Sequence, residues 1–274
     1  SRAGIADFNL TETVSSGVSQ VFTTTDGTPV DQVGVPALYT FAGYWGYFLD
    51  ELANARQRLR DDQWVLGDAA ERVGYETQLQ NLERDLHRLY RLDFVAAWRD
   101  MFEKIGLGRM SADGPQYAAL AAASSPVASP ILALVKAVDR ETRLTRLYDE
   151  VADLSPEDLA AGGDLGNKLG DTAFSQIYGR SGVFQRVVLD AVSGQGKTQA
   201  RVGASGSAMA EDTQRQQVER ISDDFAQWHA LLKGEAGSRP IDLLLRNLSD
   251  LRENRRNAAV APTPADETIL SQML

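Results

Sequence analysis

The chain has 274 residues, 43% hydrophobic and 24% charged, which is enough to bury a sizeable core, and its 28 basic against 38 acidic side chains leave a formal net charge of −10. With no cysteine and with His87 and His229 as its two histidines, it excludes a disulfide framework, a thiolate metal site, a cysteine nucleophile and a histidine pair at metal-ligand spacing. So acidic a chain is also poorly suited to nucleic acid, whose phosphates require clustered Lys and Arg.

The first forty residues are rich in Thr, Ser, Gly and Val, with turn signals at Asp26-Gly27 and Thr28-Pro29. Residues 1–40 are therefore expected to be irregular, with 18–22 extended or 10–20 a short helix. The aromatic run at 35–49 contains Pro36 and polar breaks, and no segment reaches the ~18–20 apolar residues of a membrane span. The opening Ser1-Arg2-Ala3-Gly4 lacks both an initiator methionine and a secretory leader, which suggests an internal piece of a longer polypeptide.

A helical domain is expected over 41–257. Its first stripe is Tyr44, Tyr47, Phe48, Glu51, Leu52, Ala55 and Leu59, at three-and-four spacing. Asp68 is a candidate N-cap for a helix of roughly thirty-five residues, far longer than the ~11–12 average, so a kink near Gly74 is expected. Leu79, Leu82, Leu86, Leu89, Asp93, Ala97, Met101 and Lys104 trace one drifting face of it, with Tyr90, Phe94, Trp98, Phe102 and Ile105 beside it. Trp98 is expected in the core, because Phe94, Phe102 and Ile105 share its side. Gly106 and Gly108 are its stop signals. Ser125-Pro126 and Ser129-Pro130 are N-cap and first-turn pairs, the second opening a helix with Ile131, Leu134, Val135 and Val138 inward. Leu144, Leu147, Tyr148 and Val151 continue it after a bend.

Glycines at 162, 163, 166, 170, 179 and 182 mark 153–182 as a loop, and a helix over 183–192 leads to a second glycine-rich loop at 193–207. Val218, Ile221, Phe225, Trp228, Leu231 and Leu232 define one further amphipathic helix. Ile241, Leu244, Leu245, Leu248 and Leu251 define another, opened by Arg239-Pro240. Residues 258–274 read as a linker into a missing C-terminal region. The fold class is mainly α: an irregular multi-helix bundle with one long helix and little or no sheet.

Candidate chemistry is sparse. Gly194-Gln195-Gly196-Lys197-Thr198 resembles the tail of a phosphate-binding loop, but Ala191 replaces its first glycine and the residues before it read as helix rather than strand. Gly203-Ala204-Ser205-Gly206 has the wrong spacing for a nucleophile elbow. His87 and His229 read as helix-surface or satisfied core residues, and Asp61-Asp62 and Asp223-Asp224 as solvated helix ends. No catalytic, cofactor or metal residue is assigned. Among the aromatics crowded between 39 and 48, Tyr39, Tyr44 and Trp45 are candidates for a partner-facing patch, with core packing as the alternative.

Five segments in order resemble one family. Residues 35–44, V-P-A-L-Y-T-F-A-G-Y, are similar to a V-P-G-L-Y-T-x-x-G-Y stretch of the TssM/IcmF family, the large inner-membrane component of type VI secretion systems. Trp64-Val65-Leu66-Gly67 follows at the family's distance. Leu89-Tyr90-Arg91-Leu92-Asp93-Phe94 with Trp98 resembles its L-Y-x-x-D-Y-x-x-x-W helix, and Ser124-Ser125-Pro126 with residues 129–144 its S-P…E-T-x-L segment. Residues 218–232, with Phe225, His229 and Leu232, resemble its F-x-x-L-H-x-L helix. Ala37 stands where the family has glycine and Phe94 where it has tyrosine.

The resemblance implies the periplasmic, mostly helical portion of an inner-membrane-anchored parent, without the family's membrane helices, NTPase-like region or C-terminal β-rich region. The implied role is a non-enzymatic scaffold. Its implied partners are the outer-membrane lipoprotein, an inner-membrane component and other copies of itself, with no nucleic acid and no cofactor. The rival readings are a cytosolic helical adaptor and a nucleotide-binding protein resting on Lys197.

Overall fold

The computed structural model of the chain describes residues 5–14, 17–63, 69–152 and 205–260. In chain order come β1 (Phe8–Asn9), α1 (Leu10–Val14), α2 (Val18–Val21), β2 (Phe22–Thr24), β3 (Gly34–Val35), α3 (Phe41–Gly43), α4 (Leu49–Gln63) and α5 (Ala69–Lys104). They are followed by β4 (Ile105–Leu107), α6 (Ala118–Ala123), α7 (Pro130–Thr142), α8 (Arg146–Ala152), α9 (Ser205–Asp224), α10 (Ala226–Ala230) and α11 (Pro240–Val260). Short 3-10 turns at Val30–Gln32 and Ala37–Tyr39 and a π turn at Tyr44–Phe48 complete the list. The fold is mainly α, as expected. Among the described residues its sheet is confined to the pair β1–β3 and the antiparallel pair β2–β4, in which Phe22 lies opposite Leu107.

Several elements differ in detail from the sequence reading. The segment expected as either strand or helix is divided: α1 and α2 are helical, and Phe22 starts a strand. Gly17, at φ 92°, makes the break, a left-handed conformation that glycine adopts without strain. The π turn adds a residue to one turn of helix, so Tyr44, Trp45 and Leu49 point inward while Glu51 of the expected stripe is exposed. Helix α5 runs through Gly74 without interruption for 36 residues, about 54 Å at ~1.5 Å per residue. It hands over directly to β4 at Ile105.

The aromatic side of α5 is buried, as expected for Trp98, and the drifting leucine face is divided. Leu79, His87, Tyr90, Phe94, Trp98 and Met101 are buried, whereas Leu82 and Leu89 are 44% and 49% exposed. Both sets recur at helical spacing. The rings bury more apolar area per residue than leucine, so the aromatic set forms the core.

Ser129 caps α7 as expected: its Oγ accepts from Leu132 N at 3.3 Å and donates to the Ala123 carbonyl at 2.6 Å. Ser125 instead closes a local turn, accepting from Ala128 N at 3.1 Å. The helix expected over 218–232 breaks at Phe225 into α9 and α10, and α11 continues to Val260, into the expected linker. Ser205 and Gly206 lie in α9, so the second glycine-rich segment ends earlier than expected. The Asp68 cap, the 153–182 loop, the 183–192 helix and the Lys197 motif lie outside the described residues.

The chain divides into two compact units. The first comprises Ser1–Phe8, Val35–Arg99 and Arg140–Phe225. Phe41, Tyr44, Trp45, Phe94, Trp98, Leu144 and Leu147 are fully buried in it. The second comprises Asn9–Gly34, Asp100–Asp139 and Ala226–Leu274. There Leu132, Val135, Ile241 and Leu245 form a cluster flanked by Trp228, Leu231 and Leu232, and Phe102 stacks on Trp228 at 4.4 Å. Among the described residues no helix is long and apolar enough to cross a membrane.

Candidate functional site

The densest polar and aromatic arrangement is in the first unit, where the 35–44 segment meets α5. Pro36 opens the 3-10 turn at Ala37–Tyr39, its fixed φ suiting the first position of a tight turn. Tyr39 N donates to the Pro36 carbonyl at 2.9 Å, and Asp7 Oδ1 accepts from Ala37 N at 2.8 Å. Thr40 then caps α3: its Oγ1 accepts from Gly43 N at 3.0 Å and donates to the Ala37 carbonyl at 2.8 Å.

This geometry leaves two carbonyls facing the long helix. Tyr90 Oη donates to Leu38 O at 2.6 Å, and Trp98 Nε1 donates to Tyr39 O at 2.8 Å. Tyr90 and Trp98 stand eight residues apart, about 12 Å along one helix face, and Phe94 lies between them. Tyr39 packs against Tyr90 at 5.8 Å and edge-on to Phe94 at 6.5 Å. Phe8 and Phe225 contact Trp98 at 5.1 and 6.2 Å.

Gly43 permits the close approach. A Cβ there would collide with the Ala37 carbonyl oxygen and come within 2.5 Å of Leu38 O. The remaining contacts reach α7 and α8: Phe41 N donates to Glu141 Oε2 at 3.2 Å, and Trp45 Nε1 to the Leu144 carbonyl at 3.3 Å. The Arg146 guanidinium lies 4.5 Å above the Phe41 ring.

The titratable groups here serve packing. His87 is buried edge-on to Phe48 at 5.3 Å, its Nδ1 has no hydrogen-bond partner, and burial pushes its pKa down to about 4. Burial likewise raises the phenols of Tyr44 and Tyr90 well above their ordinary value. Arg91 forks onto Asp224 at 2.6 and 2.7 Å, and the hydrogen bonds raise its pKa further. Asp224, exposed at the last residue of α9 as expected of a helix end, is also an ion-pair partner.

The three aromatics considered for a partner-facing patch sit differently from that expectation. Tyr44 and Trp45 are fully buried, Tyr44 in the expected stripe and Trp45 with the π turn, and Tyr39 is half-buried against α5. His229 is half-buried in the last turn of α10, and exposed Asp61 accepts from Gln57 at 2.8 Å. Glu141, Gly43 and Arg91 lie in the segments singled out for the family likeness, but sequence reading gave none of them its contact. Only Gly43 carried a local signal, standing three residues after a cap-forming threonine. Among the described residues no cluster of three or more His, Asp or Glu could hold a metal ion.

The turn carbonyls are engaged by the Tyr90 and Trp98 donors and packed among rings, which makes this a helical packing arrangement. Residues 1–143 match the model of the family described as "IcmF-related: Intracellular multiplication and human macrophage-killing", and the chain belongs to that family. It is also similar to the type VI secretion system component TssM1 of Pseudomonas aeruginosa, being 26% identical over 250 residues that cover 90% of this chain and 20% of the relative. The chain therefore spans about a fifth of that protein's length. No solved structure matches it.

Proposed function

We propose that the chain is a non-enzymatic scaffold segment of a type VI secretion membrane complex, held in the periplasm by an inner-membrane-anchored parent. It helps bridge towards the outer-membrane lipoprotein. What supports the reading is that the residues carrying the family likeness are engaged in building a rigid frame. Tyr90 and Trp98 bond the Leu38 and Tyr39 carbonyls, and Gly43 lets that turn close down. A long, phase-locked helix transmits position; it supplies no nucleophile or base to a substrate.

The chain contains no cysteine, so a single thiol introduced here reports location once any cysteines elsewhere in the parent are replaced. Val127→Cys, at a position 89% exposed, is placed in the full-length parent and treated with a membrane-impermeant maleimide after the outer membrane is permeabilised. Labelling in intact cells, with co-purification of the complex's lipoprotein, is the expected result. Labelling only after lysis of the inner membrane favours the cytosolic adaptor. Saturable ATP or GTP binding lost in Lys197→Ala would favour the nucleotide-binding reading instead.

A further inference from the structure

Helix α4 is seated in the first unit at its root. Leu49, its first residue, is buried, whereas every residue from Asp50 to Leu59 is half-buried or exposed. An element with so little buried surface opens at a lower free energy than the core beside it. Phe48, the last residue of the π turn, fastens that root to α5: it lies edge-on to His87 at 5.3 Å and stacks on Tyr90 at 4.0 Å. Further along α4, Arg56 pairs with Glu83 of α5 at 3.1 Å.

His87 therefore sits where α4 is attached. It is 8% exposed, and its Nδ1 has no hydrogen-bond partner. Burial alone pushes its pKa down to about 4. The charged groups around it are occupied or turned to solvent. On α5, Glu83 one turn before it is held by Arg56, Arg91 one turn after it by Asp224, and Arg84, Asp85 and Arg88 are exposed. On α4, Glu51 reaches Arg58 at 3.8 Å, and Asp50 is likewise engaged. Tyr44 and Tyr90, the phenols packed on Phe48, are kept neutral by burial. Among the described residues, a proton placed on His87 thus meets aromatic rings and no uncommitted carboxylate.

We infer that His87 makes the joint between α4 and α5 acid-sensitive: protonation frees Phe48 and α4 from α5, while the Tyr90 and Trp98 bonds to the Leu38 and Tyr39 carbonyls keep the rest of the first unit closed. The sign follows from linkage. The released form exposes an ordinary histidine, of pKa ~6.5, and takes up a proton that the closed form refuses. Release is therefore favoured as the pH falls, and the ratio of released to closed forms rises about twentyfold between pH 7 and pH 5. It needs neither a partner nor a membrane, so its test stands apart from the periplasmic reading.

The test uses the purified full chain, which has no thiol of its own. Leu49→Cys is the reporter, and Val35→Cys, buried in β3 of the same unit, is the control. Each is treated with 4,4′-dithiodipyridine, and its rate is divided by that of the same variant unfolded in urea at the same pH. The Leu49→Cys thiol is expected to react about twentyfold faster at pH 5 than at pH 7, and the Val35→Cys thiol equally at both. The difference should vanish on adding His87→Gln and survive Glu83→Gln. Hydrogen exchange of the unsubstituted chain, corrected for the intrinsic effect of pH, reads the same release without a cavity at Leu49: amides 50–59 lose protection in acid and amides 90–98 keep it. Four results overturn the inference: no pH effect at either the Leu49→Cys thiol or amides 50–59, an equal effect at Val35→Cys, persistence in His87→Gln, or loss in Glu83→Gln. The second is unfolding of the whole unit, and the last assigns the sensitivity to the ion pair.

Discussion

Trp98 joins two parts of the first unit, and Trp98→Ala measures how much that joint carries. The indole is fully buried among Phe8, Phe94 and Phe225, and its Nε1 donates to the Tyr39 carbonyl at 2.8 Å. A buried tryptophan removes on the order of 200 Å² from water, so at ~25 cal/mol per Å² the ring contributes about 5 kcal/mol before any relaxation. The lost hydrogen bond adds about 1 kcal/mol, and partial collapse of the cavity returns some of the total, so about 3–5 kcal/mol is expected. For a chain of this size that lowers the melting temperature by roughly 5–9 °C. Trp98→Phe keeps most of the ring but leaves Tyr39 O without its donor, and should cost about 1–3 kcal/mol. Thermal melts followed by circular dichroism at 222 nm, with urea titration for the free energy, make the measurement. An alanine variant melting within about 1 °C of the parent would refute the assigned burial and with it the joint.

The other predictions concern the same neighbourhood. Gly43→Ala forces a methyl group against the backbone carbonyls of Ala37 and Leu38, so destabilisation at or above the upper end of the ~1–3 kcal/mol range for overpacking is expected; equal urea midpoints would show that the turn can move aside. Tyr90→Phe should cost about 1 kcal/mol by orphaning Leu38 O while keeping the 4.0 Å stack on Phe48, and a neutral substitution would mean that water replaces the phenol. The folded-state pKa of His87, about 4, lies below the ~6.5 of an unfolded histidine, so the unfolded chain binds the extra proton and stability falls with pH through that window. About 2 kcal/mol should be lost between pH 7 and pH 5. The loss should be absent in His87→Gln, and an equal slope in both proteins would assign the acid sensitivity elsewhere.

The mainly helical class, the long helix, the Ser129 cap and the core role of Trp98 were legible because each rests on local chemistry: periodicity, a capping hydroxyl before proline, ring size. The division of the leucine face of α5 into buried Leu79 and exposed Leu82 and Leu89 was not. Leucines and aromatics alternate along it at the same helical spacing, and periodicity cannot say which of two apolar stripes the rest of the chain covers. Similarly, Tyr44 falls in the stripe that a regular helix predicts, but Trp45 does not, and its burial goes with a π turn that local periodicity does not encode. The Arg91–Asp224 fork spans 133 positions and the Phe41–Glu141 bond 100, and no local pattern encodes such distances. Gly43 was different. Its place after Pro36 and Thr40 hinted at a tight turn, but the need for glycine comes from backbone approaching backbone, which only the folded chain defines.

These observations explain why two motifs far apart in sequence belong together. Leu38 and Tyr39 offer carbonyls that a 3-10 turn cannot satisfy internally, and the long helix offers two buried ring donors that need acceptors. Each side would be destabilising alone, since a buried unpaired donor or carbonyl costs about 1–3 kcal/mol. Together they fix the rotation of α5 about its own axis. A slip of one residue, a turn of about 100°, would bring Arg91 and Arg99 under the carbonyls in place of the rings and strand two charges in the core. The same lock decides which leucines look outward. Leu89 immediately precedes Tyr90, and Leu92 lies between Tyr90 and Phe94 in sequence, so once both rings are seated the two leucines have no inward position left to occupy. The inner aromatic joint therefore fixes which way the outer leucine face looks.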